Sequence, residues 1–199
     1  MDILLSIIYL IATVSFIVGL KLLGHPETAK KGNSMAALGM GLAILAAIFL
    51  SKQNVPNINY VLIALALLVG GVIGWLIAIK VEMTKMPELV SLFNGFGGAS
   101  AALIGLVEFG NITTSSEGTI VATIISGVVI GAITFSGSLV AWGKLNGTLK
   151  SVVKLPQYNI INNLFIIGII AFSAYLVIAG IGNPVIAYAL LALGLVYGV

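Results

Sequence analysis

The residues best placed to do chemistry are polar side chains at helical spacing inside long apolar runs. Ser91, Asn94, Gly98, Ala101 and Gly105 recur at steps of three and four, the repeat that puts side chains on one face of a helix. Further along, Gly127, Gly131, Thr134 and Ser138 do the same. Each stripe is small at one end and polar at the other. At ~1.5 Å of rise per residue, Asn94 lies ~13 Å from Lys85 and Ser138 ~9 Å from Lys144, so the polar groups reach similar depths and could line one path. Two readings stay open on this evidence. The side chains either tie neighbouring helices together, at ~0.6 kcal/mol per bond in membrane proteins, or line a polar route through the apolar layer.

Glu88 is the one carboxylate that could enter the edge of an apolar run, and Glu82 lies in the loop before it. Either is placed to collect protons at the mouth of a route. For Glu88, a carboxylate at the positive end of a helix dipole is a sufficient explanation. Asparagine does not titrate near neutral pH, so a route through Asn94 must carry protons by water or borrow a titrating group. His25, the only histidine, is read as a loop or capping residue without a chemical role.

Other chemistries are set aside. The chain has no cysteine, which removes disulfides, thiolate nucleophiles and cysteine-rich metal sites. Gly137 to Gly143-Lys144 looks like a phosphate-binding loop, but its glycines are wrongly spaced and Leu145 stands where Ser or Thr is needed. Gly95, Gly97 and Gly98 fail the dinucleotide fingerprint because Ser100 takes the third glycine position. No catalytic residue, metal site or bound cofactor is assigned to this chain.

The elements that carry these stripes follow from composition. Of 199 residues, 60% are hydrophobic and 8% charged, where a soluble domain carries ~25% charged residues. The apolar residues fall in runs near the ~20 residues needed to cross a bilayer, at about 3–23, 34–50, 58–79, 86–107, 119–142, 160–181 and 184–199. No alternation of barrel type is present. The expected fold is all-α, a polytopic transmembrane bundle of about seven spans in one transmembrane domain covering 1–199, with no soluble nucleotide domain. The last run is short of a full crossing and still apolar at Val199, so the chain reads as truncated there. The first lacks a basic n-region and a cleavage site and is read as a permanent span.

Pro26, Pro87 and Pro184 mark helix entrances at the first helical position, with Glu27 and Glu88 following. Gly70 with Gly74 and Gly127 with Gly131 have the four-residue spacing that lets helices approach closely in lipid, which predicts a compact bundle. If the spans alternate, Lys21, Lys30, Lys31, Lys80, Lys85, Lys144, Lys150 and Lys154 share one side and Lys52 lies on the other. The positive-inside rule puts the larger set in the cytoplasm and the N-terminus outside, with Trp75 and Trp142 at the inner headgroup level. The net charge of +3 is explained by lysines beside an anionic leaflet and calls for no nucleic acid.

Two segments carry a family resemblance. Lys80–Asn94 (KVEMTKMPELVSLFN) resembles the entry to a central helix of the beta subunit of proton-translocating NAD(P) transhydrogenase. Gly131–Leu145 (GAITFSGSLVAWGKL) is similar to another segment of that subunit, and Leu155-Pro156 fits the following loop. The resemblance implies a membrane domain that passes protons while soluble partner domains holding NAD(H) and NADP(H) move hydride from NADH to NADP+. It implies an alpha-type subunit as partner, contributing membrane helices and an NAD(H)-binding domain, an NADP(H)-binding domain, and a dimer of the assembled enzyme. The bacterial inner membrane is the expected location, ahead of the mitochondrial one. By the same likeness Asn94 stands at a channel position that is histidine in some bacterial members, where others take a histidine from the alpha-type subunit. Ser138 matches a position proposed to line the path, and Glu82 an acidic loop residue. The family subunit continues with two more helices and an NADP(H)-binding domain, so this chain is expected not to move hydride by itself.

A small-solute secondary transporter is the rival from another class. It needs discontinuous helices and an internal repeat at mid-membrane, whereas Pro87 and Pro184 sit at entrances. A noncatalytic membrane scaffold is the third reading, favoured if neither stripe is hydrated.

Overall fold

A computed structural model describes residues 3–25, 27–50, 56–113, 116–149, 157–179 and 184–199. Among the described residues seven α-helices run in order: α1 Ile3–Leu23, α2 Ala29–Leu50, α3 Asn57–Lys80, α4 Met86–Phe109, α5 Gly118–Leu145, α6 Tyr158–Ala179 and α7 Pro184–Gly198. A 3-10 turn, Met83–Lys85, leads into α4. No strand occurs among the described residues. The helices α1 to α6 are each long and apolar enough to cross a membrane, while α7 carries only the shorter apolar stretch Val185–Tyr197. The protein is an all-helical membrane protein, as its hydropathy predicts.

Helix ends differ from the apolar runs where polar residues continue a helix. The second helix starts at Ala29 rather than near 34, because Ala29, Lys30 and Lys31 are good helix formers although the two lysines are not apolar. Glu27 therefore lies in the turn ahead of the helix rather than in its first turn. Thr28 closes that turn by donating its hydroxyl to the Leu22 carbonyl at 2.7 Å. Pro87 is the second residue of α4, not the first, and Glu88 sits in that first turn. Pro26, Lys52, Lys150, Lys154, Leu155, Pro156 and Asn183 lie outside the described residues.

The chain divides into two compact units, Met1–Leu76 and Ile77–Val199. In the first, α1 and α2 form an antiparallel pair joined along a glycine seam. A Cβ on Gly19 would lie 2.7 Å from the Ala36 nitrogen, one on Gly32 2.6 Å from the Gly19 carbonyl, and one on Gly39 2.7 Å from the Ala12 carbonyl. Only hydrogen fits at these points, so the backbones touch and dispersion replaces the hydrophobic drive that lipid cannot supply. Ser15 crosses the seam to bond the Met35 carbonyl at 3.1 Å.

The third helix is a different case. None of its residues is buried, and a Cβ on Gly70 or Gly74 would meet nothing within 4 Å. The pair that its spacing marked as a packing motif has no helix against it among the described residues, so spacing identified a surface without identifying a contact. Gly32→Ala and Gly74→Ala should therefore diverge. The first must push Gly19 away and lower the melting temperature of the purified protein. The second removes glycine's helix penalty of up to ~1 kcal/mol and should leave that temperature unchanged or raise it.

The second unit is built around α5. It packs antiparallel against α4 along Gly98, Gly105 and Gly131. Against α7 it packs in parallel, since Gly194 meets the Val129 carbonyl while Gly198 further along meets Gly137. Antiparallel to α4 and parallel to α7 is the pattern of successive crossings that alternate in direction. The core joins Phe109, Val121, Ile125, Val128, Leu176 and Leu190, all buried. Phe165 of α6 and Tyr197 of α7 stack with ring centroids 5.9 Å apart.

Candidate functional site

The polar ends of the two stripes meet. Asn94 on α4 donates its amide Nδ2 to the Ser138 Oγ of α5 at 2.9 Å. One turn earlier on α4, Ser91 donates its hydroxyl to the backbone carbonyl of the same Ser138, also at 2.9 Å. Asn94 and Ser138 thus stand at one level along the antiparallel pair. Ser138 is buried, at 8% exposure, Ser91 is half-buried, and Asn94 is exposed.

The small ends of the stripes make this approach possible. A Cβ on Gly98 would lie 2.8 Å from the Gly131 carbonyl and 2.8 Å from the Phe135 nitrogen, and one on Gly131 2.6 Å from both the Gly98 carbonyl and the Ala102 nitrogen. Gly95 is nearer the polar end, where a Cβ would stand 3.2 Å from the Ser138 Cβ. With the backbones this close, the short side chains of Asn94 and Ser138 reach one another directly. Gly127 is looser, its nearest contact being the Ala101 carbonyl at 3.8 Å.

The other candidate residues fall around this pair. Thr134 is half-buried on the same seam, with its Cβ against Gly98. Glu88 is half-buried in the first turn of α4, three residues before Ser91 and so on the same face. Glu82 is not at the pair. It lies before the helix in an ion pair with Lys85 at 3.3 Å, both side chains well exposed, where such a pair contributes little.

Ser136 escaped the sequence reading. It is buried at 7% exposure, but its hydroxyl returns to the Ala132 carbonyl of its own helix at 3.0 Å. It faces the α7 side, against Gly198, and no periodic polar pattern singles it out.

No group of three or more His, Asp or Glu side chains suited to a metal ion occurs among the described residues. A groove of about 450 Å³ between α5 and α6 is lined by Ile125, Val129, Ile169 and other apolar residues, with Ser126 and Ser173 as its polar members. It offers no cation for a nucleotide phosphate.

The family model of the NAD(P) transhydrogenase beta subunit matches residues 5–199. The NAD(P) transhydrogenase subunit beta of Rhodospirillum rubrum is 38% identical over 150 residues, covering 71% of this chain and 31% of that protein. The protein of the same name from a designated strain of that species gives the same figures. The chain spans 31% of the length of these curated relatives.

Proposed function

The chain belongs to the NAD(P) transhydrogenase beta subunit family, and from that premise we propose that it is the proton-conducting membrane part of a proton-translocating transhydrogenase. Soluble partner domains hold NAD(H) and NADP(H) and pass hydride from NADH to NADP+, while this chain conducts the proton that drives the exchange. The observation that carries the reading is the Asn94–Ser138 bond, an amide and a hydroxyl joined at one level between two helices long enough to cross a membrane. Polar side chains at such depth are costly in lipid and serve either to bond helices together or to line a pathway, and the exposure of Asn94 favours the second. Ser91 and Thr134 extend the polar surface along the seam, and Glu82 and Glu88 lie toward the lysine-bearing end of α4.

Neither Asn94 nor Ser138 carries a proton as a titrating group near neutral pH. Their part is to orient water, or a titrating side chain from the alpha-type subunit, at the exposed Asn94. Redox state and occupancy at the NADP(H) domain shift the α4–α5 region between openings to the two sides, so that downhill proton passage favours NADPH formation through linked binding energies. The enzyme works as a dimer in the bacterial inner membrane. Lys21, Lys80, Lys85 and Lys144 face the cytoplasm and the N-terminus lies outside.

The test uses the full-length protein, purified with its partner subunits and reconstituted. NADPH-dependent reduction of an NAD analogue is measured with and without an uncoupler. A rate that responds to the uncoupler supports the reading. Absence of nucleotide activity in an intact, assembled preparation would overturn it in favour of a small-solute transporter.

A further inference from the structure

We propose that Ser91 is a positioning residue: its bond to the Ser138 carbonyl sets the register of α4 on α5 at which the Asn94 amide meets the Ser138 hydroxyl. This rests on the reading of the Asn94–Ser138 pair as part of the proton route.

Hydroxyls inside these helices ordinarily turn back on their own backbone. Thr13, Ser34, Ser100, Thr123 and Ser136 each donate to the carbonyl four residues earlier in their own helix. That local bond satisfies the hydroxyl within the helix and binds nothing to a neighbour. Ser91 departs from the pattern. Its donor crosses to the next helix and reaches a backbone carbonyl, whose second lone pair can accept it beside the helix's own hydrogen bond.

The crossing bond matters because of the surface it spans. Toward the far end of the α4–α5 seam Val128 sits over Gly105, and Phe109 is buried with Val121 and Ile125. At the polar end, however, glycines hold the two backbones close and offer few side chains to lock one helix lengthwise against the other. Dispersion along such a seam opposes separation more than sliding. Directional bonds then fix the register at that end, and α4 supplies two that converge on one residue. Asn94 holds the Ser138 side chain and Ser91 its backbone. Any slide or rotation of α4 that takes Asn94 off Ser138 must also break the Ser91 bond. The α1–α2 pair repeats the device independently. There a seam of Gly19, Gly32 and Gly39 is crossed by Ser15 bonding the Met35 carbonyl.

The test is a mutant cycle in the full-length, assembled enzyme, reading the uncoupler-sensitive rate per amount of enzyme in the membrane. Ser91→Ala should lower that rate about threefold, the factor that corresponds to a membrane hydrogen bond of average strength. Ser91→Thr, which keeps the hydroxyl, should restore most of the loss. In an Asn94→Ala background, Ser91→Ala should cost nothing further, because there is no longer an amide to hold in register. A full, multiplicative loss in the double variant, or a Ser91→Ala rate equal to the parent's while Asn94→Ala is impaired, would overturn the positioning role. If Asn94→Ala itself leaves the rate unchanged, the failure lies in the proton-route reading, and the positioning role falls with it.

Discussion

Replacing Asn94 with alanine in the full-length, assembled protein is expected to lower uncoupler-sensitive transhydrogenation about tenfold, a barrier increase of ~1.4 kcal/mol. This exceeds the ~0.6 kcal/mol average for hydrogen bonds inside membranes and lies near their upper range, for two reasons. The change deprives the buried Ser138 hydroxyl of the donor that it accepts from at 2.9 Å. It also removes the exposed member of the pair, which on the proposed route orients a water or a partner's side chain. Ser138→Ala should approach the same loss from the other helix. Ser136→Ala is the control, two residues away on α5 and equally buried, but bonded within its own helix. Its expected effect on coupling is small. A drop for Ser136→Ala equal to that for Asn94→Ala would show that any polar deletion in α5 disturbs the enzyme, and the assignment of the route to this pair would then fail.

What could be read from the sequence depended on whether the signal was local. Apolar run length marks a helix wherever it is placed, so the helices follow the hydropathy closely, apart from the polar start of α2 at Ala29. The Asn94 and Ser138 stripes were also legible, because helical spacing fixes a face and the rise per residue fixes a depth. Two faces at equal depth then met in a single bond. What spacing does not encode is the partner. Gly70 and Gly74 have the spacing of a packing motif and touch nothing among the described residues, whereas Gly19, Gly32 and Gly39 carry the tightest contacts of the first unit although no two of these glycines are four apart. In that hairpin a glycine on one helix opposes an alanine or another glycine on the next, and the complementarity exists only once both are placed. The role of Ser91 was hidden for a related reason. Its position gives the face, but whether a hydroxyl bonds its own helix or crosses to another depends on how close the neighbouring backbone comes.

That dependence makes Gly131 the most sensitive glycine of the α4–α5 seam. Gly131→Val would place a Cβ 2.6 Å from the Gly98 carbonyl and 2.6 Å from the Ala102 nitrogen, and both obstacles are backbone atoms of a helix that cannot rotate away as a side chain can. The two helices must part along the seam, because ordinary contact begins only at 3.4 Å. Overpacking of this kind costs ~1–3 kcal/mol or more where the backbone cannot adjust. The expected result is a large drop in melting temperature or in recovery of folded protein from the membrane, measured by size-exclusion chromatography in detergent. Gly127→Ala, one turn away on the same helix with only a 3.8 Å contact, should behave like the parent. Between these extremes lies Gly95→Ala, whose Cβ would stand 3.2 Å from the Ser138 Cβ. A shift of a few tenths of an ångström absorbs it, which the fold tolerates but a 2.9 Å bond at the same point does not. Gly95→Ala should therefore lower the uncoupler-sensitive rate while leaving the melting temperature close to the parent's. If stability and rate instead fall together across Gly127→Ala, Gly95→Ala and Gly131→Val, the seam serves folding alone, and the spacing of Asn94 and Ser138 is not what limits coupling.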